Sequence, residues 1–403
     1  MKRKNTFLLV FLLCFALIFL LRFGGSAQAE KRVNVYFANW NIYQDASGGQ
    51  AKALPWDSVD GVYHAFWKIA PQDGGFALVP QDAWADTAAD NPNAHFAQYA
   101  RLTQQYPQVE LMLSIGGWTC SGYFSQMALT RESRASFIQG CVDFLKQYPF
   151  FSGLDLDWEY PGAARKGSGS DEGCPVAGDD FTNYTLLLKE LRSALDENFS
   201  AHKRLTVCAA GAVSTLKKQD YAALHPYVDA IHLMTYDLTG SYAGTTGHHT
   251  PLYGSVSADS AVQYLLGLGV PAKKLSLGTP LYAQGWKNID LSDAPLGASA
   301  SGKNKGGALP YAQLQALESQ AVSIGEAGWH AGYDEAAQAA YLWNDDSASP
   351  YYRNFLSYES IRSLDAKLNY VSARGLGGLI VWQSGGDASG FPMIRRMYRT
   401  LHP

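Results

Sequence analysis

The stretch Gly153-Leu154-Asp155-Leu156-Asp157-Trp158-Glu159 alternates acidic and apolar side chains from Leu154 onward. Successive side chains of an extended strand face opposite sides, so Asp155, Asp157 and Glu159 share one face and Leu154, Leu156 and Trp158 the other. The Leu-rich flank reads as a covered strand rather than an edge strand with a solvated acidic face. Barrel interiors are normally filled by branched apolar side chains, and three stacked carboxylates there are costly, so function accounts for them better than stability does.

Working outward, seven further apolar runs have the same strand character: Val33–Phe37, Gly61–Phe66, Val109–Ser114, Leu205–Ala209, Ala230–Met234, Leu275–Pro280 and Gly377–Val381. Helical patterns separate them. In Phe181–Leu195 the residues Tyr184, Leu187, Leu188, Leu191 and Leu195 form one stripe, with Asp180 placed to cap it. Eight strands alternating with helices predict an α/β fold, a (β/α)8 TIM barrel, which a chain of 403 residues fills with room for an elaboration. The rhythm breaks after Trp286. Residues 287–356 are rich in Gly, Ala, Asp and Ser yet carry Tyr333, Tyr341, Trp343, Tyr351, Tyr352 and Phe355, too much aromatic mass for a disordered loop, so a small α+β insertion is expected between strand 7 and helix 7.

Charged residues at 17% and apolar ones at 47% support a large core, and a net charge of -4 gives no basic surface for nucleic acid. The N-terminus pairs Lys2, Arg3 and Lys4 with an apolar run from Phe7 to Leu21 and the triplet Ala27-Gln28-Ala29. That is the pattern of a secretory signal over 1–29, cleaved after Ala29 to leave residues 30–403 as a secreted barrel free of the membrane; an uncleaved anchor is the alternative. Beyond Cys14, which lies in this segment, Cys120, Cys141, Cys174 and Cys208 allow three pairings. Cys120 with Cys174 is the favoured one, because both lie in loops after strands, whereas Cys141 falls on a helix and Cys208 in a strand.

Crowded carboxylates in a low-dielectric site must share protons, which raises at least one pKa and keeps an acid protonated near neutral pH. Glu159, at the strand's C-terminal end where barrel active sites open, is the natural proton donor. Two-carboxylate glycosidases need their second group across the sugar ring. Asp157 stands on the same side as Glu159, which leaves the 2-acetamido carbonyl of an N-acetylated sugar as the internal nucleophile. Trp40, Trp118, Tyr242 and Trp286 follow strands and are the candidate sugar-stacking residues.

The acidic run, followed by Tyr160-Pro161-Gly162, resembles the Asp-x-x-Asp-x-Asp-x-Glu motif of glycoside hydrolase family 18, in the chitinase branch with an inserted α+β domain. Ser114-Ile115-Gly116-Gly117-Trp118, Met234-Thr235-Tyr236-Asp237, Gly247-His248 with Pro251-Leu252-Tyr253, Tyr282 with Gly285-Trp286, and Gly377-Gly378 with Trp382 follow in family order. The resemblance implies a retaining chitinase, endo- or exo-acting on chitin or chito-oligosaccharides, with no metal or organic cofactor and a monomeric state. It implies Glu159 as acid and then base, Asp157 as the group that orients the acetamido, Asp155 as its proton partner, Tyr236 with Asp237 on the acetamido carbonyl, and Trp382 under the reacting sugar. Two positions depart from the pattern. Ser152 replaces the first acid of the motif, which shortens the proton relay, and Gln284 stands where many members carry Arg, which removes charge assistance to a bound sugar. His248 is read as a hydrogen-bonded histidine, not a catalyst. The competing readings are an N-acetylglucosaminidase for peptidoglycan or N-glycan cores and a non-catalytic chitin-binding lectin.

Overall fold

The computed structural model describes residues 31–44, 50–292, 294–301, 309–324 and 328–403; the signal expected over 1–29 lies outside them. Eight parallel strands close on one another: β1 (Arg32–Ala38), β2 (Gly61–Gln72), β4 (Glu110–Gly116), β5 (Gly153–Asp157), β6 (Arg204–Ala210), β7 (Ala230–Met234), β8 (Leu275–Pro280) and β14 (Gly378–Trp382). β1 pairs with both β2 and β14, which shuts the barrel, while β3 (Gly75–Pro80) adds an antiparallel hairpin to β2. All eight predicted strands are present, because each run is apolar enough to be covered on both faces.

The face of β5 that carries Leu154, Leu156 and Trp158 packs outward, where the Trp158 ring stacks on Phe124 with centroids 5.2 Å apart and meets Tyr184 edge-on. Tyr184 belongs to the helix Asp180–Asn198, whose stripe of leucines is buried as its 3.6-residue spacing predicts. The cap of that helix is Asp179, not Asp180: the Asp179 side chain accepts from Thr182 N. Asp180 turns inward, where Ser125 Oγ donates to its Oδ1 at 2.5 Å and Gly162 N to its Oδ2 at 2.9 Å, so it fastens the loop after β5.

Leu281 alone separates β8 from β9 (Tyr282–Trp286), the first strand of a second sheet that also contains β10 (Leu309–Pro310), β11 (Trp329–Asp334), β12 (Ala339–Asn344) and β13 (Phe355–Tyr358). Its order is β10-β9-β13-β12-β11 and every pairing is antiparallel. The helix Tyr311–Ile324 packs on it. This α+β unit thus springs directly from the C-terminal end of a barrel strand, β8, at the end of the barrel where Glu159 lies.

Candidate active site

Asp155 lies deepest and is fully buried. Tyr36 OH and Ser114 Oγ donate to its Oδ2 at 2.8 and 2.7 Å, Thr206 Oγ1 donates to its Oδ1 at 2.6 Å, and the Cys208 thiol approaches Oδ2 at 3.6 Å. Three strands supply these groups: β1 gives Tyr36, β4 gives Ser114, and β6 gives both Thr206 and Cys208. Ser152 is not among them: its Oγ accepts from Leu111 N on β4, so it clasps the start of β5 rather than extending a relay. One step up the same face, Asp157 is 4% exposed and its Oδ1 has no hydrogen-bond partner. Burial raises its carboxyl well above the ordinary range, and the charges of Glu159 and Asp155 add to the effect.

Glu159 completes the column at the open end of the barrel. Its backbone N–H donates to Ser121 Oγ at 2.9 Å. Burial pushes its carboxyl up to about 7, against the pull of the Tyr160 hydroxyl and the Arg165 guanidinium. The Gly116-Gly117 pair makes this packing possible. Gly116 has φ +112° and a side chain there would meet Asp157 O at 2.3 Å, while Gly117 N donates to that same oxygen at 2.7 Å.

Tyr236 and Asp237 follow β7 at the rim. Tyr282 OH donates to Asp237 Oδ2 and Gln284 Nε2 to Oδ1, both at 2.6 Å, and His249 Nδ1 lies 3.6 Å from Oδ1. Burial alone would raise the Asp237 carboxyl, but the bonds from His249, Tyr282 and Gln284 outweigh it and hold the group below its ordinary value. Tyr282 also meets the Tyr236 ring edge-on at 6.2 Å. The strand β9 thus delivers two predicted residues to the site, and Gln284 keeps a hydrogen bond to Asp237 without bringing a positive charge.

Trp382, at the end of β14, stacks on Phe66 at 5.6 Å, meets Tyr36 edge-on at 5.4 Å and lies 6.1 Å from Trp40. Of these aromatics Tyr36 also bonds Asp155, so the Trp382 ring lies one residue away from the buried acid. Trp40, Trp118 and Tyr242 are 36%, 49% and 74% exposed, as stacking platforms need to be. Tyr242 OH donates to Asp237 O at 3.1 Å. Trp286 is different from what its position after a strand suggested. It is 1% exposed, packed with Ile289, Ala298 and Phe355, so loop residues of the second sheet cover the ring and it belongs to that unit's core.

The expected Cys120–Cys174 bond is absent, and all four cysteines of the described residues are free and buried. Cys174 Sγ accepts from Trp158 Nε1 at 3.3 Å, and Cys120 lies 3.6 Å from Thr119 Oγ1, so each sulfur is engaged apart from the other. Among the described residues one group, His64, Asp86 and His95, has ligand-type atoms within 4.8 Å of one another. These three are fully buried, His64 is bonded at 2.9 Å both to Asp86 and to Tyr99, Trp67 Nε1 donates to the second Asp86 oxygen, and His95 Nδ1 lies 3.6 Å from Asp86 Oδ1. His248 bonds Asp334 of β11 at 3.1 Å, bridging a barrel loop and the second sheet.

Sequence reasoning missed Arg165, whose guanidinium lies 3.8 Å from the Trp118 centroid, donates to Trp118 O and pairs with Asp171 at 2.5 Å. It also missed the cradle of Tyr36, Ser114, Thr206 and Cys208. Ser114 was visible as the first residue of its Gly-Gly motif, but the other three stand on strands remote in sequence and carry no local signal.

The model of the glycosyl hydrolases family 18 matches residues 32–387. Chitinase A of Pseudoalteromonas piscicida is 30% identical over 402 residues, covering 88% of this chain and 48% of its own length. Chitinase A1 of Niallia circulans is 32% identical over 322 residues, 76% of this chain and 44% of its own. The chain therefore spans less than half the length of these two relatives. The crystal structure of the Ostrinia furnacalis Group IV chitinase superposes with a TM-score of 0.79 at 26% identity, covering 93% of this chain and 100% of that one.

Proposed function

Because the chain belongs to glycosyl hydrolase family 18, we propose that it is a retaining chitinase that cleaves β-1,4-linked N-acetylglucosamine polymers and oligomers with participation of the substrate's own acetamido group. The observation that carries this reading is the buried Glu159 carboxyl, pushed up to about 7 at the mouth of the barrel directly above Asp157. An acid of that strength is largely protonated below neutrality and gives its proton up readily, which is what donation to a leaving glycosidic oxygen requires.

Among the described residues no second free carboxylate faces Glu159 at the rim. Asp237 is the other acid at the rim, and both its oxygens are engaged by Tyr282 and Gln284. A nucleophile must then come from the sugar. Glu159 protonates the leaving oxygen while the acetamido carbonyl closes on the anomeric carbon, giving an oxazolinium. Asp157, with a vacant Oδ1, accepts the acetamido N–H and Tyr236 bonds its carbonyl oxygen, which together hold the group in attacking geometry. Asp155 remains below, held by Tyr36, Ser114 and Thr206, as the proton partner of Asp157. Water, activated by Glu159 acting as base, opens the ring from the same face, so configuration is retained. Trp382 floors the reacting sugar, with Trp40 and Trp118 on either flank.

The test is hydrolysis of chito-oligosaccharides by the parent and by Glu159→Gln, with products resolved by size and anomer. β-Anomeric products from the parent and none from the variant are expected. A folded parent that binds the sugar without cutting it would make the protein a lectin, and cleavage confined to peptidoglycan or glycoprotein substrates would move it to another branch. We further propose export through the segment 1–29, which N-terminal sequencing of secreted material should show by starting at Glu30.

A further inference from the structure

Neighbouring strands β5 and β6 are in register with Asp155 opposite Thr206 and Leu156 opposite Val207, so the next inward-facing pair is Asp157 and Cys208. Thr206 already shows what such a cross-strand partner does, since its hydroxyl donates to Asp155 at 2.6 Å. Cys208 is 3% exposed, and its sulfur lies 2.8 Å from Tyr36 OH and 3.6 Å from Asp155 Oδ2. Meanwhile Asp157 Oδ1, level with that thiol and sealed from solvent, has no partner. A thiol has one hydrogen and a freely turning S–H bond, so it can serve either carboxylate but not both at once.

We propose that Cys208 is a positioning residue of the carboxylate pair: its thiol hydrogen bonds Asp155 while Asp157 holds the shared proton, and turns to Asp157 when that carboxylate is ionised. This rests on the reading of Asp157 as the group that works beside Glu159. The thiol would then supply, on β6, a donor that follows the proton through the cycle, with Tyr36 as the second partner of the sulfur. A hydrogen bond to the charged form of a carboxyl lowers its pKa, and the Cys208 thiol acts on Asp157 in that direction.

Several titratable groups face the pair. Tyr36 comes from β1, Tyr63 from β2, Glu159 and Tyr160 from the top of β5, Tyr184 from the outer helix, and Tyr236 with Asp237 from the end of β7. His232 stands opposite Cys208 on β7 and bonds Tyr63 OH at 3.0 Å; burial pulls its imidazole down to about 4. Arg32, Arg204 and Glu110 close the lower end of the barrel around Tyr63. The readout must therefore separate aspartate carboxyls from imidazole.

Carbon-13 resonances of aspartate carboxyls in the labelled full chain, followed with pH in the parent, Cys208→Ala and Cys208→Ser, make that separation. The Ala variant removes the donor and should raise the midpoint of the Asp155/Asp157 pair by about half a pH unit or more, and the Ser variant should restore it, because a hydroxyl donates where a thiol did. The acidic limb of kcat/KM on chito-oligosaccharide should move upward with the Ala variant alone, leaving the alkaline limb in place. Superimposable carboxyl titrations in all three proteins, or a Ser variant that shifts as the Ala variant does, would overturn the assignment. If the titrations move as stated but the parent cleaves no chito-oligosaccharide, the chitinase reading fails and the assignment of Cys208 stands.

Discussion

Tyr282 OH donates to Asp237 Oδ2 at 2.6 Å, so the carboxylate at the top of β7 is held by the first strand of the second sheet. Sheet and barrel are joined at the site itself, not only at a distant hinge. Tyr282→Phe removes a hydrogen bond to a charged group, worth about 2 kcal/mol, and should lower kcat/KM by about thirtyfold on chito-oligosaccharides. Steady-state kinetics beside a melting curve checks this. A large fall in melting temperature with an unchanged rate would make the bond a fastener between the sheets and nothing more.

Glu159→Gln should change stability in a way that depends on pH. Folding raises this carboxyl from 4.5 to about 7. The folded state therefore holds the proton more tightly than the unfolded chain does, and the stability of the parent falls as pH rises through that window and then levels off. A neutral glutamine does not titrate. The variant should match the parent near pH 4 and exceed it above pH 7, by on the order of 3 kcal/mol. Denaturant unfolding at both pH values measures the difference, and equal stabilities at pH 8 would mean that Glu159 is not raised.

The pH dependence of kcat/KM, which reports the free enzyme, should show an alkaline limb near 7, where Glu159 loses the proton it donates. In Arg165→Ala that limb should move upward, since the guanidinium favours the charged carboxylate. A limb that stays in place would assign the ionisation to another group.

Trp286 and Trp118 should separate stability from binding. Trp286→Ala empties a packed core and is expected to cost about 3–5 kcal/mol while leaving KM little changed in whatever folds. Trp118→Ala removes a half-exposed ring under Arg165 and should weaken sugar binding by about 1 kcal/mol, a ~5-fold rise in KM, with almost no change in melting temperature. The reverse pattern would return Trp286 to the cleft.

Cys120, Cys141, Cys174 and Cys208 should all react with a thiol reagent once the protein is denatured without reductant, and reductant should not shift the melting curve. Thiol counting by mass settles it. Two missing thiols would restore the pairing that loop position suggested for Cys120 and Cys174.

What the sequence determined by itself was local and periodic. Alternation along β5 placed Asp155, Asp157 and Glu159 on one face, and the recurrence of apolar runs specified eight covered strands, because burial on both faces leaves a continuous signature in composition. Tyr236, Asp237 and Trp382 were marked instead by the resemblance of their short motifs to those of family 18. The tertiary structure decided everything that depends on which distant residues meet. Solvent cover, not position after a strand, put Trp286 in a core and left Trp118 free. Inter-strand register set Thr206 and Cys208 beside the acids, and the fold that engaged Cys174 with Trp158 left it no bond to Cys120. A helix cap moved by one residue freed Asp180 for the interior. Periodicity constrains which way a side chain points, whereas the identity of its neighbours is fixed only when the barrel closes.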